Sequence, residues 1–357
     1  MGITKRFREI TALREIDLQI SNGEYVTVLG STGAGKTTLL HIISGILKPD
    51  SGKIYIEGKL VNDIPPEERY ISYFPQNYAL FPHMTVIENV AYGPNIRGVD
   101  EAHNIALKVL ELVGLEKRAD SYPRELSGGM QQRIALARAM ATGSKLLLLD
   151  EPLSALDAIL RIELRYELRK MAEELNLTVV HVTHDQAEAM SVSDKIVVLR
   201  SGVIEQFDTP FEIYEKPQNI FVSNFVGEMN FYEGIVIGEN EIGNIVEVGG
   251  KSISVGKKLD IQDVVISIRP ENLGIVKGRK GDGNWIQGTV RWVSLSSGFL
   301  LFNVDLFNDR EALVKRFSPS MKEEISVNDV VSVYFDPDKI LVYPYPREGL
   351  HKALEVS

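Results

Sequence analysis

The sequence predicts an α/β core on a parallel sheet, followed by a smaller all-β domain. Three observations point there. Apolar runs of strand length alternate with amphipathic helical segments up to about residue 200. A glycine-rich stretch, residues 30–38, separates one such strand from one such helix. Beyond about residue 230 only short strands recur, divided by Gly, Asn and Asp.

Residues 1–28 read as short strands: Ile16, Leu18 and Ile20 alternate with polar positions, and Ser21-Asn22-Gly23 makes a turn. Tyr25-Val26-Thr27-Val28-Leu29 is a buried strand, and Leu39, Ile42, Ile43, Ile46 and Leu47 fall on one helical face. Residues 51–74 continue in β style across a Pro65-Pro66 break. Residues 86–141 turn helical, including 106–113 closed by Gly114. Then come a strand at 146–149, a helix at about 158–175, a strand at 179–182, a short helix from 186 and a strand at 196–199. Leu160, Leu164, Leu168, Met171 and Leu175 form the stripe by which the long helix meets the sheet. After residue 230 the strands at 234–237, 264–268, 288–293 and 330–334 suggest a small barrel without a helix. The expected domains are 1–230, with a helical subdomain at about 84–144, and 231–357.

Gly30-Ser31-Thr32-Gly33-Ala34-Gly35-Lys36-Thr37-Thr38 fits G-x-x-x-x-G-K-T between a strand and a helix, which is the P-loop in its proper context. Glycines let successive backbone N–H groups converge on one anion, and the helix terminus adds partial positive charge. Lys36 is expected at the β and γ phosphates, and the Thr37 hydroxyl on Mg²⁺. This is a nucleotide site.

The bulk numbers narrow the function. A chain of 357 residues exceeds the roughly 250–300 at which single cores stop growing. A net charge of −10 argues against broad contact with nucleic acid. No cysteine means no disulfide or thiol chemistry. The longest apolar runs fall far short of the ~20 residues that span a bilayer, so work at a membrane requires docking to another protein.

Further features line up behind Lys36. Residues 146–149 form an apolar strand ending in Asp150 and Glu151. Alone, two acids there are more often a turn or a helix start. Beside a P-loop, Asp150 is placed for Mg²⁺ and Glu151 for the attacking water. Ser127, Gly128 and Gly129 open a helix and make a second anion-ready terminus. Read by themselves they are an ordinary cap. Since the first loop already wraps its phosphates, the second terminus is expected to reach a partner's nucleotide.

Together these motifs resemble the ATP-binding-cassette (ABC) family over residues 3 to about 228. Residues 30–38 resemble its Walker A, 126–131 its signature and 146–151 its Walker B with the catalytic glutamate. Gln76 resembles the Q-loop glutamine, Ser154-Ala155-Leu156-Asp157 the D-loop, and His184 the switch histidine. Phe7 sits where the family stacks an aromatic residue on adenine. The other histidines, at 41, 83, 103, 181 and 351, read as structural or solvated. Ser31 departs from the proline common among importers, and the N-terminus is short. The β-rich remainder, with Ile268-Arg269-Pro270-Glu271-Asn272, resembles the OB-like accessory domain of maltose, polyamine, ferric-iron and oxyanion importer ATPases.

The resemblance implies an ATP hydrolase that works as a head-to-tail homodimer. Each ATP lies between Lys36, Gly33, Gly35 and Thr37 of one copy and Ser127 and Gly129 of the other. Glu151 acts as general base, His184 holds the γ-phosphate and water, and Gln76 contacts Mg²⁺. Asp157 belongs to the same shared site. Transmembrane permease subunits dock near residues 76–86, a solute-binding protein acts indirectly, and the chain sits on the cytoplasmic face of the membrane. No residue selects the solute. Rival readings are a soluble ABC ATPase acting on DNA or ribosomes, and a regulatory scaffold. The first is disfavoured by the acidic charge, the single cassette and only about 90 residues between P-loop and signature.

Overall fold

The computed structural model describes residues 1–77, 80–154, 156–278, 283–296, 298–308, 310–317 and 325–355. Contacts divide the chain into two compact units, Met1–Glu215 and Lys216–Val356.

The first unit opens with a hairpin, β1 (Ile3–Phe7) and β2 (Ile10–Ile16). Its main strands are β3 (Tyr25–Gly30), β6 (Ile71–Phe74), β7 (Leu146–Asp150), β8 (Thr178–Thr183), β9 (Lys195–Arg200) and β10 (Val203–Asp208). The two-residue strands β4 (Tyr55–Ile56) and β5 (Lys59–Leu60) form a separate small hairpin. The sheet order is β10-β9-β3-β8-β7-β6, parallel except for β10. Alternate residues sort to opposite faces. Val26, Val28, Leu148, Val180 and Val182 pack with Leu39, Leu40 and Ile42 of α1 (Lys36–Ser44). Tyr25, Leu147, Leu149 and Val179 pack instead on the other face, which carries α2 (Val86–Ile96), α3 (Ala102–Leu112), α4 (Gly128–Ala141), α5 (Ala158–Glu174) and α6 (Gln186–Val192). The helix α7 (Pro210–Glu215) ends the unit.

Two expectations shift at helix ends. The P-loop helix stops at Ser44, because Gly45 adopts φ 88 and caps it, so Ile46 and Leu47 lie beyond the helix; Ile46 is exposed, while Leu47 still packs against the same core. In α5 the stripe holds at Leu164, Leu168 and Met171, whereas Leu175 is the C-cap and is exposed.

In the second unit α8 (Ile220–Phe225) comes first, so residues 216–230 pack with this unit. Ile220 joins Val265, Tyr343 and Ala353 in a small core. The strands are β11 (Asn230–Glu239), β12 (Asn244–Val248), β13 (Lys251–Val255), β14 (Asp263–Ile268), β15 (Leu273–Lys277), β16 (Trp285–Ser296), β17 (Phe299–Phe307), β18 (Arg310–Phe317), β19 (Val330–Phe335) and β20 (Leu341–Pro344). They form two five-stranded antiparallel sheets, β13-β12-β11-β14-β20 and β15-β19-β16-β17-β18, in keeping with the OB-like expectation. Side chains tie the sheets together where strand pairing ends. Asn230 accepts from Leu313 N at 2.7 Å and donates to Leu313 O at 2.9 Å, standing in for a neighbouring strand on the edge of β18. A five-residue helix, α9 (Leu350–Leu354), corrects the expectation of no helix after residue 230; it is too short for a periodic signal.

Candidate functional site

Four adjacent parallel strands deliver the predicted residues at their carboxyl ends, where open α/β sheets bind ligands. The glycine-rich loop follows β3, His184 follows β8, Asp150 ends β7 with Glu151 next, and Gln76 follows β6. The pairings Leu29 with Thr183, Asp150 with Val182 and Phe74 with Leu149 keep those ends level.

Backbone geometry makes the loop. Gly33 and Gly35 take φ 84 and 104, and a Cβ on Gly35 would lie 2.5 Å from the Ala12 carbonyl oxygen. Only glycine fits there. Gly35 is also the N-cap of α1, and no side chain caps that helix start, which leaves its first N–H groups turned to the loop. Ser31 contributes a carbonyl that accepts from Ala34 N, while Thr32 and Gly33 are exposed. Ala34 is buried and its carbonyl accepts from Gly202 N; Thr38 is half-buried.

Lys36 is buried, and its Nζ donates to the Gly30 and Ser31 carbonyls, each at 2.9 Å. Burial lowers its pKa against the pull of the Glu151 and Asp150 charges. A phosphate in the loop would favour the charged form again. The Thr37 hydroxyl donates to Asp150 Oδ1 at 3.2 Å. Asp150 is 2% exposed, and burial raises its pKa although Thr37 and Tyr73 bond it. The Tyr73 hydroxyl donates to Asp150 Oδ2 at 3.3 Å and lies 3.1 Å from His41 Nε2.

Glu151 carries a backbone feature that no sequence pattern announces. Its φ is 48, a left-handed conformation costing of order 1–3 kcal/mol for a residue with a side chain. Its N–H donates to Val182 O at 2.9 Å, fixing the turn. The carboxylate accepts from Gln76 Nε2 at 3.2 Å and meets His184 Nδ1 at 3.2 Å. Two residues predicted separately therefore converge on the carboxylate of a third.

The remaining candidates stand elsewhere. Phe7 is 46% exposed and pairs with Ile10 across the hairpin; the second strand of that hairpin passes against Gly35. Ser127 and Gly128 are exposed, and Ser127 caps α4 by accepting from Met130 N at 3.4 Å. Gly129 has a packing reason as well, since a Cβ would fall 3.1 Å from Leu160 Cδ2. Asp157 is exposed and caps α5 through Leu160 N at 3.0 Å. A cap of that kind contributes ~1 kcal/mol, enough to explain the aspartate without a ligand. Ala155 of the same loop lies outside the described residues. The side-chain bonds of Ser127 and Asp157 thus stay within the starts of their own helices, apart from residues 30–38.

Sequence reasoning missed the supports. His41 and Tyr73 stand behind Asp150, and their positions 32 residues apart carry no motif. Gln132 reaches the Pro152 carbonyl beside the acidic turn. In the segment expected to dock a partner, Tyr78 and Ala79 lie outside the described residues. Phe81 is half-buried, its ring 4.6 Å from that of Tyr92 and 5.0 Å from the Arg138 guanidinium, while Pro82 and His83 are exposed. Asn89, fully buried, accepts from Phe81 N and donates to the carbonyls of Phe81, Met84 and Thr85, so one amide holds the whole turn.

Residues 13–154 match the family described as ABC transporter. The spermidine/putrescine import ATP-binding protein PotA of Clostridium novyi (strain NT) is 40% identical over 346 residues, 95% of each chain. The protein of that name from Oleidesulfovibrio alaskensis is 42% identical over 296 residues, 81% of this chain and 79% of its own. Among solved structures, the dimeric bacterial ABC transporter cassette MJ0796 aligns with a TM-score of 0.54 at 35% identity. It covers 58% of this chain and 97% of its own. A second dimer of that cassette, in a post-hydrolysis state bound to ADP and Pi, aligns with a TM-score of 0.53. The chain belongs to the ATP-binding-cassette (ABC) transporter family.

Proposed function

We propose that this chain, an ATP-binding and ATP-hydrolysing subunit of the ABC importer type, drives the uptake of spermidine and putrescine. Identity to a spermidine/putrescine import ATP-binding protein across 95% of both chains carries the choice of solute. Nothing in the nucleotide site selects a solute, so it rests on that relationship alone. The test is uptake of labelled spermidine and putrescine by cells carrying and lacking this gene, with maltose, ferric iron and sulfate as controls. Loss of polyamine uptake alone is expected. Loss of a control solute alone would reassign the cargo while leaving the ATPase intact.

For the reaction, residues 30–38 and Lys36 hold the phosphates, and positioning with charge neutralisation does most of the work of phosphoryl transfer. Glu151 takes a proton from the attacking water, Gln76 and His184 hold its carboxylate in place, and His184 also keeps the γ-phosphate and that water in line. Thr37 and Asp150 offer two hard oxygens side by side, and no cluster of three or more His, Cys, Asp or Glu occurs among the described residues. That donor set fits Mg²⁺, which keeps waters and phosphate oxygens rather than a protein cage. Mg²⁺ held there would neutralise charge on the β and γ phosphates. In a head-to-tail homodimer, exposed Ser127 and Gly128, Gly129 and Asp157 of one copy face the nucleotide of the other, with Phe7 beside the base.

No helix among the described residues is long and apolar enough to cross a membrane. Coupling to permease subunits is assigned to the segment 76–86. Phe81→Asp leaves the turn anchored by Asn89 but puts a charge on its apolar face. Uptake into vesicles falls at least about tenfold, as one misplaced contact readily causes, while ATP binding is unchanged. Uptake at the parent rate would remove this surface from the coupling path.

A further inference from the structure

We infer that Glu188 is a positioning residue for His184, acting through Thr183 and Asp185 on either side of it. The inference deepens the reading of His184 as the residue that orients the attacking water, and rests on it.

Glu188 lies in the first turn of α6 and is 3% exposed. Its Oε2 accepts the Thr183 hydroxyl at 2.6 Å, and that hydroxyl oxygen accepts from Asp185 N at 3.0 Å. Asp185 Oδ1 in turn accepts from Glu188 N at 2.9 Å. The bonds close a ring around one residue, His184. Its own side chain is 57% exposed and meets Glu151 at 3.2 Å. A side chain so open to solvent takes its direction from its backbone, and the Thr183 hydroxyl, held by the Glu188 carboxylate, bonds that backbone on the far side of His184 at Asp185 N.

A buried carboxylate needs partners of its own. His181, fully buried on β8, places Nε2 3.3 Å from Glu188 Oε1, within ion-pair distance though not aligned as a hydrogen bond. His181 Nδ1 lies 3.0 Å from the Tyr25 hydroxyl. Burial and the Glu188 charge keep Tyr25 protonated against the pull of Arg169. Burial works against the Glu188 charge, yet His181, Thr183 and Arg165 outweigh it and hold its carboxyl below the usual value. Asp185 is braced from α5 by Arg165 at 2.8 Å and Arg161 at 3.5 Å. The loop bearing His184 is thus tied to strand β3 and to the helix that Asp157 caps.

The test is steady-state ATP hydrolysis by the full chain. Glu188→Gln preserves volume, and folding is checked by its thermal midpoint. We expect kcat to fall by about tenfold or more, as for a catalytic group displaced by a fraction of an ångström, with KM for ATP unchanged. Thr183→Val, which cuts the relay and leaves His181 and Glu188 themselves unsubstituted, should match it. Thr183→Ser, which restores the hydroxyl, should return the rate. In a His184→Ala background Glu188→Gln should cost nothing further, because both act through one group. Full rates in Glu188→Gln and Thr183→Val, or an undiminished loss in the His184→Ala background, would overturn the inference. A fully active His184→Ala variant would remove the reading of His184 and the inference with it.

Discussion

Glu151→Gln lowers steady-state phosphate release by roughly 100- to 10,000-fold, the range expected when a general base is removed. The substitution replaces one carboxylate oxygen by an amide nitrogen and leaves the rest of the side chain as it was. An amide of the same shape keeps a partner for Gln76 and can stay within reach of His184, so the turn is not disturbed by lost volume. The unusual φ of 48 is set by the bond from Glu151 N to Val182 O, which the side chain does not alter. Lys36 and the glycine loop are untouched, so ATP binds as before. If hydrolysis is what opens the dimer, the variant accumulates as an ATP-bound dimer, seen by gel filtration with and without ATP. Turnover near the parent rate would mean that the proton goes elsewhere. Asp150, the adjacent carboxylate in the chain, has both its oxygens bonded, to Thr37 and to Tyr73.

The line between what was legible in the residues and what was not follows the range of the interactions. The strand, glycine loop and helix around Lys36 are consecutive, so a local pattern carries them. Asp150 and Glu151 are announced by the apolar strand they end. Helix ends were harder. Gly45 at φ 88 closes α1 two residues before the apolar pattern stops, because backbone conformation outranks periodicity. Least legible were the supports. Tyr73 behind Asp150, Asn89 under the turn at Phe81, and His181 beside Glu188 each make their contact across several intervening residues, or between strands whose order only the sheet reveals. His41 and His181, two histidines without a motif, turn out to lie behind the acidic turn and the histidine loop. The second unit illustrates a different limit: its β character was visible in four segments, but not Asn230, which ties its two sheets together.

Mixing two inactive variants restores hydrolysis. Lys36→Ala removes the phosphate ligand proposed for the glycine loop, and Ser127→Arg plugs the helix terminus proposed to oppose it; each homodimer alone is expected to fall at least about a hundredfold. The side chains at fault sit at separate places on the chain, and Ser127 is exposed at the start of α4, where it is accessible to a second copy. In a head-to-tail dimer of the two variants, one nucleotide meets both defects and the other meets neither. Random exchange makes about half of the dimers mixed, each with one sound site of two, so about a quarter of the parent activity returns if the sites fire independently. A nucleotide handled within a single copy predicts the opposite: neither variant has anything to lend, and the mixture stays as dead as its parts. The two arrangements differ by more than tenfold in one phosphate-release assay. Titrating one variant against the other adds a second check, since the recovered rate must peak at equal amounts.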